Sequence, residues 1–498
     1  GAGSGFVRAE IEGSFRLPVW EKQIRRYVIM DKLKVIILAA GEGKRMKSKL
    51  PKVLHRVQGR TMLGHVIDTA RAAGADDICV VIGHGAEQVA QSIKDENVKT
   101  AVQSEQLGTG HAVMCAGDFI EDGADMLVLY GDTPLITAGT IGELRDFHKR
   151  EDNAISIISA VVDDPTGYGH IIRDKNGAFL KNVEHKDASE TEKIVREINT
   201  GIYLFSGGAL KKGLSLLKND NAQGEYYLPD TLEIILKDGG RVNAMIAGDA
   251  KEFAGVNNRM QLAEAEAVMR KRINLFHMEN GVTMMDPERT YIDAGVKIGQ
   301  DTVLLPGVVL EGNTVIGEDC VIGPNTIIEN SRIGDGCQIH SSLIEQSQVG
   351  SGVRIGPNSH LRPNSVLADR VKIGNFVEIK NSTLGEKTSV AHLTYIGDSD
   401  FGENINVGCG VVTVNYNGYR KFRSTVGDNA FIGCNTNLVS PVHVGENAYI
   451  AAGSTITDDV PAGDLAIARA RQVEKAGWVE GYRAKELALK EKEKNEKK

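Results

Sequence analysis

The sequence predicts two units of different architecture: an α/β domain with a Rossmann-like mixed sheet, followed by a parallel β-helix of hexapeptide repeats. Three observations predict this fold class. Short apolar runs alternate with helical patterns as far as about Gly255, whereas aliphatic residues recur at every sixth position beyond Gly281. Glycine is also frequent, at 56 of 498 residues, against a usual fraction of about 7%. Because there are only 12 prolines, collagen and proline-rich disorder are excluded.

The first unit is predicted from strands embedded between helices. Four apolar runs have the length of buried strands, namely KVIILAA (34–40), ICVVIG (78–83), MLVLYGD (126–132) and AISIISAVV (154–162). Helix-like segments such as MLGHVIDTARAAG lie between them, which is typical of βαβ units, and a ligand crevice is expected at the carboxyl ends of the strands. We assign this domain to residues 30–255 and expect residues 1–29 to be an extension or leader segment.

Residues 256–281 are predicted to form a linker helix. Apolar residues in NNRMQLAEAEAVMRKRINLFHMEN (257–280) lie three and four positions apart. Asn257 or Asn258 can cap the start of this helix, and Gly281 can end it.

The second unit, residues 282–485, is predicted from its six-residue period. Aliphatic residues occupy every position of three runs, and glycine often follows them, as in Ile298-Gly299. Each aliphatic side chain would point into a stacked core, and the glycine permits a tight corner. The period fails at VVTVNYNGYRKFRS (411–424), which we interpret as a loop leaving the solenoid, and residues 486–498 are predicted to be a charged, disordered tail. The repeat positions are Ile292, Ile298, Leu304, Leu310, Ile316, Ile322 and Ile328; Ile355, Leu361, Leu367, Ile373 and Ile379; and Val426, Ile432, Leu438, Val444, Ile450 and Ile456.

Charge and cysteine content restrict the partners and the compartment. The 58 basic and 66 acidic side chains give a net charge of −8, which argues against nucleic acid or an anionic membrane as the main partner. No apolar run approaches the roughly 20 residues of a membrane-spanning helix. The six cysteines include no C-x-x-C pair, so we expect free thiols in the reducing cytoplasm.

A glycine-containing loop follows the first strand. In Gly41-Glu42-Gly43 the glycines would let backbone amides approach phosphate oxygens, and Arg45 and Lys52 would supply positive charge. Met46 stands where the dinucleotide-binding fingerprint has its third glycine. By itself, the double glycine is equally compatible with an ordinary tight turn.

The surroundings of this loop resemble a known family. LAAGEGKRMKSKLPKVLHRVQGRTM (38–62) resembles the signature of sugar-phosphate nucleotidyltransferases, and the resemblance continues through EQLGTGHA (105–112), LYGD (129–132), DPTGYG (164–169), VEHKDA (183–188), EINTG (197–201), DNAQGEYYLPD (220–230) and GVNNR (255–259). With the β-helix behind it, the chain from Met30 to about Trp478 resembles the bifunctional N-acetylglucosamine-1-phosphate uridylyltransferase/glucosamine-1-phosphate N-acetyltransferases. The resemblance implies a bacterial enzyme that makes UDP-N-acetylglucosamine, a homotrimer, a left-handed β-helix, Mg²⁺, UTP and acetyl-CoA.

The first predicted site suits uridylyl transfer. Attack of a sugar phosphate on UTP needs positioning and charge neutralisation, which Lys52, Arg45 and Mg²⁺ would supply. Asp132 ends an apolar strand and could hold the cation, with Asn257 as its partner by resemblance; otherwise an aspartate there is often only a helix cap. The Gln103 amide could give uracil both a donor and an acceptor. The resemblance implies a substrate-binding set of Leu38, Ala39, Ala40, Gly41, Lys52, Gln103, Gly108, Thr109, Tyr130, Gly131, Asp132, Gly169, Glu184, Asn199 and Asn257.

The second predicted site suits acetyl transfer to an amine, which needs a base that works near neutral pH. Among the β-helix histidines the resemblance selects His392, in AHLTYIGD (391–398). Arg362 and Lys380 would bind the sugar phosphate, and they lie one turn apart if three hexads make one coil. Tyr395 and Asn406 belong to the same predicted pocket, which Asn415 and Tyr416 complete in the aperiodic loop. The resemblance implies acetyl-CoA contacts at Cys409, Asn415, Tyr416, Cys434, Ala452 and Arg469.

Several alternatives stay open at this point. Cys409 and Cys434 replace small non-thiol residues of the family, and a covalent acetyl-cysteine would need a charged activator that the sequence does not show. A metal site would need three convergent histidines, but His360 and His392 are not a whole number of 18-residue coils apart. The β-helix could also be purely structural or regulatory behind a nucleotidyltransferase, and the whole chain could be a non-enzymatic scaffold. The Gly41–Lys52 loop argues against the scaffold.

Overall fold

The computed structural model describes residues 32–221 and 224–496, and the predicted leader, residues 1–29, lies outside them. The chain forms two compact units, which divide between Glu266 and Ala267 within one long helix. Residues 58–60 belong to the second unit.

A mixed nine-stranded sheet forms the centre of the first unit. Seven of the nine strands lie side by side in one order. Within it, Glu197–Ser206 runs antiparallel to both of its neighbours, and all other adjacent pairs are parallel. The hairpin His170–Arg173 and Phe179–Val183 joins the sheet through Ile198, and Arg56–Val57 pairs separately with Arg60–Thr61. The strand order is Val242–Ile246, Ile155–Val161, Glu197–Ser206, Ala124–Tyr130, Lys32–Ala39, Asp77–Ile82 and Lys99–Val102. The predicted mixed sheet is confirmed.

Both faces of this sheet are covered. Val35 and Ile37 belong to one hydrophobic cluster, whereas Ile36 and Leu38 belong to another, because successive strand residues point to opposite faces. Thr61 caps the first helix by accepting a hydrogen bond from the Gly64 N–H. The helices of this unit are Met62–Ala72, Ala86–Ser92, Thr109–Met114, Ala138–Arg150, Glu190–Lys193, Gly207–Leu216 and Asp230–Lys237, with 3₁₀ turns at Lys44–Met46, Lys52–Leu54, Gly117–Phe119 and Ala250–Phe253.

The second unit is a parallel β-helix with three faces, each a ladder of short strands, and a 3₁₀ turn at Pro287–Arg289. The first face contains Thr283–Met284, Val303–Leu304, Val321–Ile322, Gln338–Ile339, Arg354–Ile355, Lys372–Asn375, Ser389–His392, Asn406–Val407, Phe431–Ile432, Tyr449–Ile450 and Leu465–Ala466. The second contains Tyr291–Ile292, Val309–Glu311, Ile327–Glu329, Leu343–Glu345, His360–Leu361, Glu378–Lys380, Tyr395–Gly397, Val412–Val414, Asn437–Val439 and Thr455–Ile456. The third contains Lys297–Ile298, Val315–Ile316, Arg332–Ile333, Gln348–Val349, Val366–Leu367, Thr383–Leu384, Ser399–Phe401, Ser424–Val426 and His443–Val444.

The predicted aliphatic positions form the core of this β-helix. All of them are buried except Ile298, which is partly exposed and packs against the same core. Many coils contain 18 residues, as the pairing of Leu310 with Ile328 illustrates, and others contain 17, as in the pairing of Val366 with Thr383. Ile328 pairs with Ile344, only 16 residues further on. Because such coils are shorter than three hexapeptides, the six-residue spacing of the aliphatic run that ends at Ile328 does not continue into the run that begins at Ile355.

The long helix, Arg259–Glu279, has the predicted ends. The Asn258 side chain accepts hydrogen bonds from the N–H groups of Met260 and Gln261, both at 3.0 Å. Gly281 follows the helix with a φ of 92°, a conformation that favours glycine.

The charged end departs from the prediction. A helix covers Trp478–Glu496, so residues 486–496 are helical instead of disordered, and 497–498 lie outside the described residues. The segment is rich in Ala, Leu, Glu and Lys, which are strong helix formers, and Glu486 precedes Lys490 by four positions. In the part of the chain that the structure describes, no helix has the length and apolarity needed to cross a bilayer.

Candidate active sites

A continuous cleft lies at the carboxyl ends of strands Lys32–Ala39 and Ala124–Tyr130. It brings together residues that are up to about 220 positions apart in the sequence. Gly131 is not among the lining residues, but its N–H donates to the Leu38 carbonyl at 2.9 Å and so joins the two strand ends. The predicted residues that line the cleft are Leu38, Ala39, Ala40, Gly41, Arg45, Lys52, Gln103, Gly108, Thr109, Tyr130, Asp132, Gly169, Glu184, Asn199 and Asn257.

Lys52 holds the two predicted metal ligands together. Its ammonium donates to Asn257 Oδ1 at 3.0 Å and forms an ion pair with Asp132. The Lys52 and Asp132 side chains are only 15% and 17% exposed, which strengthens the electrostatic attraction between them. Asp132 is held by the Val256 N–H, which donates to its carbonyl at 2.9 Å. Arg45 is exposed and lines the same part of the cleft as Lys52 and Asn257.

Gln103 presents one polar atom to the cleft instead of two. Its Nε2 donates to the Gly108 carbonyl at 3.1 Å and lies 3.2 Å from His111 Nδ1. Both Nε2 hydrogens are therefore used within the protein, which leaves Oε1 as an acceptor. The predicted donor role of this amide is accordingly corrected. Gly108 has a φ of 101°, so glycine is favoured in this turn.

The wider part of the cleft is built around Gly169 and Asn199. The Asn199 N–H donates to the Gly169 carbonyl at 2.8 Å, and Asn199 Nδ2 donates to Tyr203 Oη at 2.8 Å. A Cβ at Gly169 would lie 2.7 Å from Asn182 Oδ1 and 3.0 Å from Glu184 Oε1, so a larger residue would disturb the side chains that line this part. Burial raises the pKa of Tyr130 well above its usual value.

Sequence reasoning missed several lining residues, including Gln106, His185, Glu225 and Tyr227. Gln106 Nε2 donates to the Ala40 carbonyl at 2.8 Å, which ties the loop after Gln103 to the end of the first strand. A signal was available for His185, because it lies inside the motif VEHKDA (183–188).

The second group of predicted residues lies on the β-helix. Leu361 pairs with Ile379, so Arg362 and Lys380 are one coil apart, as predicted. Arg362 also forms an ion pair with Glu378 at 2.9 Å. Lys421, from the aperiodic loop, lies beside Lys380 and lowers its pKa, with partial burial as a smaller cause. Sequence reasoning missed Lys421, although its position in the loop was a signal.

The aperiodic loop is anchored next to these cations. Asn415 is buried, and its Nδ2 donates to Asp398 Oδ2 at 2.5 Å and to Tyr395 Oη at 3.4 Å. Tyr416 is exposed, and its hydroxyl donates to the Gly418 carbonyl at 2.6 Å. The loop therefore places a polar cluster beside the strand Tyr395–Gly397.

Four predicted residues follow one another along a corner of the β-helix. Backbone hydrogen bonds between successive coils connect the His392 carbonyl with the Gly410 N–H, the Cys409 carbonyl with the Asn435 N–H, and the Cys434 carbonyl with the Gly453 N–H. This register stacks His392, Cys409, Cys434 and Ala452. We call this set the corner column. Arg469 approaches the end of the column, since its Cδ would lie 3.5 Å from a Cβ at Gly453, and Asn406 is exposed on an adjacent strand.

Family comparisons match both units. Residues 35–191 match the MobA-like NTP transferase domain, and residues 295–330, 313–344, 346–381 and 423–458 match the bacterial transferase hexapeptide family. The chain is 56% identical over 451 residues to the bifunctional protein GlmU of Caldanaerobacter subterraneus subsp. tengcongensis. The matched region covers 91% of this chain and 98% of that protein. The bifunctional protein GlmU of Clostridium botulinum strain 657 is 53% identical over 446 residues, covering 89% and 97%. The chain belongs to the GlmU family.

Membership of the GlmU family fixes the architecture and the general activity. The three parallel ladders and the hexapeptide match together identify a left-handed β-helix. The chain is a bifunctional enzyme that acts on small-molecule substrates, a uridylyltransferase and an acetyltransferase. A nucleotidyltransferase domain precedes the hexapeptide transferase domain, so a non-enzymatic scaffold is excluded.

Proposed function

We propose that the first unit transfers a uridylyl group from UTP to N-acetylglucosamine-1-phosphate. The observation that carries this proposal is the convergence of Asp132 and Asn257 on the Lys52 ammonium at the strand ends. The phosphate oxygen of the sugar attacks the α-phosphorus of UTP, and pyrophosphate leaves. Lys52 and Arg45 neutralise phosphate charge, and the Gln103 Oε1 accepts a hydrogen bond from the uracil N–H.

A magnesium ion fits the donor set of this cleft. The Asp132 carboxylate and the Asn257 Oδ1 are hard oxygen donors, and both already contact one cationic group, the Lys52 ammonium. When bound there, Mg²⁺ would neutralise phosphate charge. Since Lys52 contacts the same oxygens, we propose that the ammonium leaves them when the ion binds and contacts phosphate instead.

We propose that the second unit transfers the acetyl group of acetyl-CoA to glucosamine-1-phosphate. Arg362 and Lys380 bind the sugar phosphate together with Lys421, because three cations in one place attract a dianion. The amine nitrogen of glucosamine-1-phosphate attacks the thioester carbonyl of acetyl-CoA, and His392 accepts the proton that the amine loses. The C–S bond then breaks and CoA is released. Tyr395, Asn406, Asn415 and Tyr416 complete this site, and Cys409, Cys434, Ala452 and Arg469 contact the cofactor.

The assembly and compartment are further parts of this proposal. A homotrimer through the β-helix agrees with a solenoid whose long lateral faces are available for association. All six cysteines are unpaired, which agrees with a reducing, cytoplasmic location.

Two assays on the same purified chain test the proposed function. One measures pyrophosphate release from UTP and N-acetylglucosamine-1-phosphate with and without Mg²⁺, and the other measures CoA release from acetyl-CoA and glucosamine-1-phosphate. We expect both reactions, with only the first dependent on the metal. Pyrophosphate release without CoA release would favour a structural or regulatory β-helix instead.

A further inference from the structure

We propose that His185 is a sugar-binding residue of the uridylyltransferase cleft, and that buried His170 makes its Nε2 a hydrogen-bond acceptor. This inference rests on the proposed function and adds a specificity contact to it. His185 lines the same part of the cleft as Gly169, Glu184 and Asn199. It belongs to a pair of histidines whose hydrogen bonds determine which ring nitrogen carries a proton.

The pair begins at His170, whose side chain is fully buried. His170 Nδ1 lies 2.9 Å from the Val195 carbonyl oxygen. A carbonyl oxygen only accepts, so His170 Nδ1 must carry the hydrogen. A neutral imidazole has one N–H, and therefore His170 Nε2 has a free lone pair.

The hydrogen bond between the two rings then determines which nitrogen of His185 carries a hydrogen. His170 Nε2 lies 2.9 Å from His185 Nδ1. Because the His170 nitrogen is an acceptor, His185 Nδ1 must be the donor, and His185 Nε2 then carries the lone pair. Within residues 32–221 and 224–496, no protein group forms a hydrogen bond with His185 Nε2.

The fold keeps this arrangement in place. His170 begins the strand His170–Arg173 and pairs with Ile198 and Val183. The centroids of the two imidazole rings are 5.2 Å apart, and the ring planes are inclined by 29°. The His185 ring is therefore held from one side by a buried, strand-bound partner, and its acceptor nitrogen suits a hydroxyl donor of the sugar.

The test compares KM and kcat of the full chain in the uridylyl reaction. His185→Phe keeps a flat ring but removes both nitrogens, and we expect the KM for N-acetylglucosamine-1-phosphate to rise roughly 3- to 10-fold, the usual effect of one lost hydrogen bond. The KM for UTP and kcat should stay within about 2-fold. His185→Gln, which can place an amide oxygen near the Nε2 position, should recover part of the loss. His443→Phe, the same change at an exposed histidine of the second unit, is the matched control.

Two further measurements separate a sugar contact from a structural effect. A deoxy-sugar phosphate that lacks the contacted hydroxyl should have a higher KM than the parent sugar phosphate in the wild type. In His185→Phe the two compounds should have similar KM values. His170→Phe should weaken sugar binding in the same direction.

The inference would be overturned if His185→Phe left the sugar-phosphate KM unchanged or raised the UTP KM equally. It would also be overturned if every deoxy analogue kept its full penalty in that variant. Absence of uridylyl transfer in the wild type would instead contradict the proposed function, so the two failures are distinguishable.

Discussion

The Lys52 ammonium lies 3.0 Å from Asn257 Oδ1 while it also pairs with the Asp132 carboxylate. One lysine thus joins the loop after the first strand to residues that the chain reaches 80 and 205 positions later. This arrangement predicts that the three residues act on one reaction and leave the other unaffected.

Lys52→Met should lower uridylyl transfer by roughly 100- to 1000-fold, because it removes a partly buried cation next to the phosphates. Acetyl transfer should stay unchanged. Pyrophosphate and CoA release measure the two effects. Lys32→Met is the matched control, since Lys32 forms an exposed pair with Glu121, and such pairs contribute little. An equal loss in both variants would contradict the assignment of Lys52.

Asp132→Ala should abolish metal-dependent pyrophosphate release and leave CoA release intact. Asp132→Asn keeps an oxygen donor without its charge, and we expect it to need more Mg²⁺ for half-maximal activity. Titration of activity with Mg²⁺ measures this difference. Unchanged pyrophosphate release in Asp132→Ala would remove Asp132 from the metal site.

His392→Ala should reduce acetyl transfer by about 100-fold or more, since it removes the proposed base, while uridylyl transfer stays nearly intact. His340→Ala tests another histidine of the β-helix and should have little effect. Comparable losses of both activities in a folded His392→Ala variant would refute the assignment of separate sites.

Lys421→Ala should raise the KM for glucosamine-1-phosphate by roughly 10-fold, which is typical for the loss of one charged hydrogen bond. It should also raise the pKa of Lys380, because the neighbouring ammonium that lowers it is removed. NMR titration of the Lys380 side chain measures the second effect. A lower Lys380 pKa in the variant would contradict the proposed cation cluster.

Alkylation with N-ethylmaleimide should label Cys434 first and inhibit acetyl transfer alone. Cys434 is exposed, whereas Cys79 is buried and burial raises its pKa to about 11, so its reactive thiolate is scarce. Acetyl-CoA should protect the enzyme, and Cys434→Ala should be active and resistant. Inhibition that persists in Cys434→Ala would place the sensitive thiol elsewhere; peptide mapping identifies it.

Regular periodicity made the fold predictable. The six-residue repeat predicted the β-helix core, and the apolar runs predicted the central strands, because both patterns reflect which side chains leave water. The 16-residue coils near Ile344 could not be predicted, since a shortened corner leaves no periodic signal. The helix at residues 486–496 was not predicted, because dense charge is typical of disordered tails, whereas the Ala, Leu, Glu and Lys residues of this segment also favour a helix.

The motifs indicated which residues to expect at each site, but not the contacts that depend on how distant parts of the chain pair. Asp132 and Asn257 were predicted together by resemblance, but their shared contact with Lys52 needs the folded strand ends. The sequence also gave no indication that Gly108 and His111 take up both hydrogens of Gln103 Nε2. Lys421 has no motif of its own, and its position in the aperiodic loop was a weak signal until the fold placed it beside Lys380.

The corner column sets the distance over which the proposed acetyl-transfer site extends. Neighbouring β-strands are about 4.8 Å apart, so the three steps from His392 to Ala452 span about 14 Å along the solenoid axis. If the proposed cofactor contacts all four residues, it must be extended, with its reactive end and its distal portion on different coils. Inserting one whole coil between Cys409 and Cys434 would move these contacts apart by about 4.8 Å and would leave the proposed base, His392, unchanged.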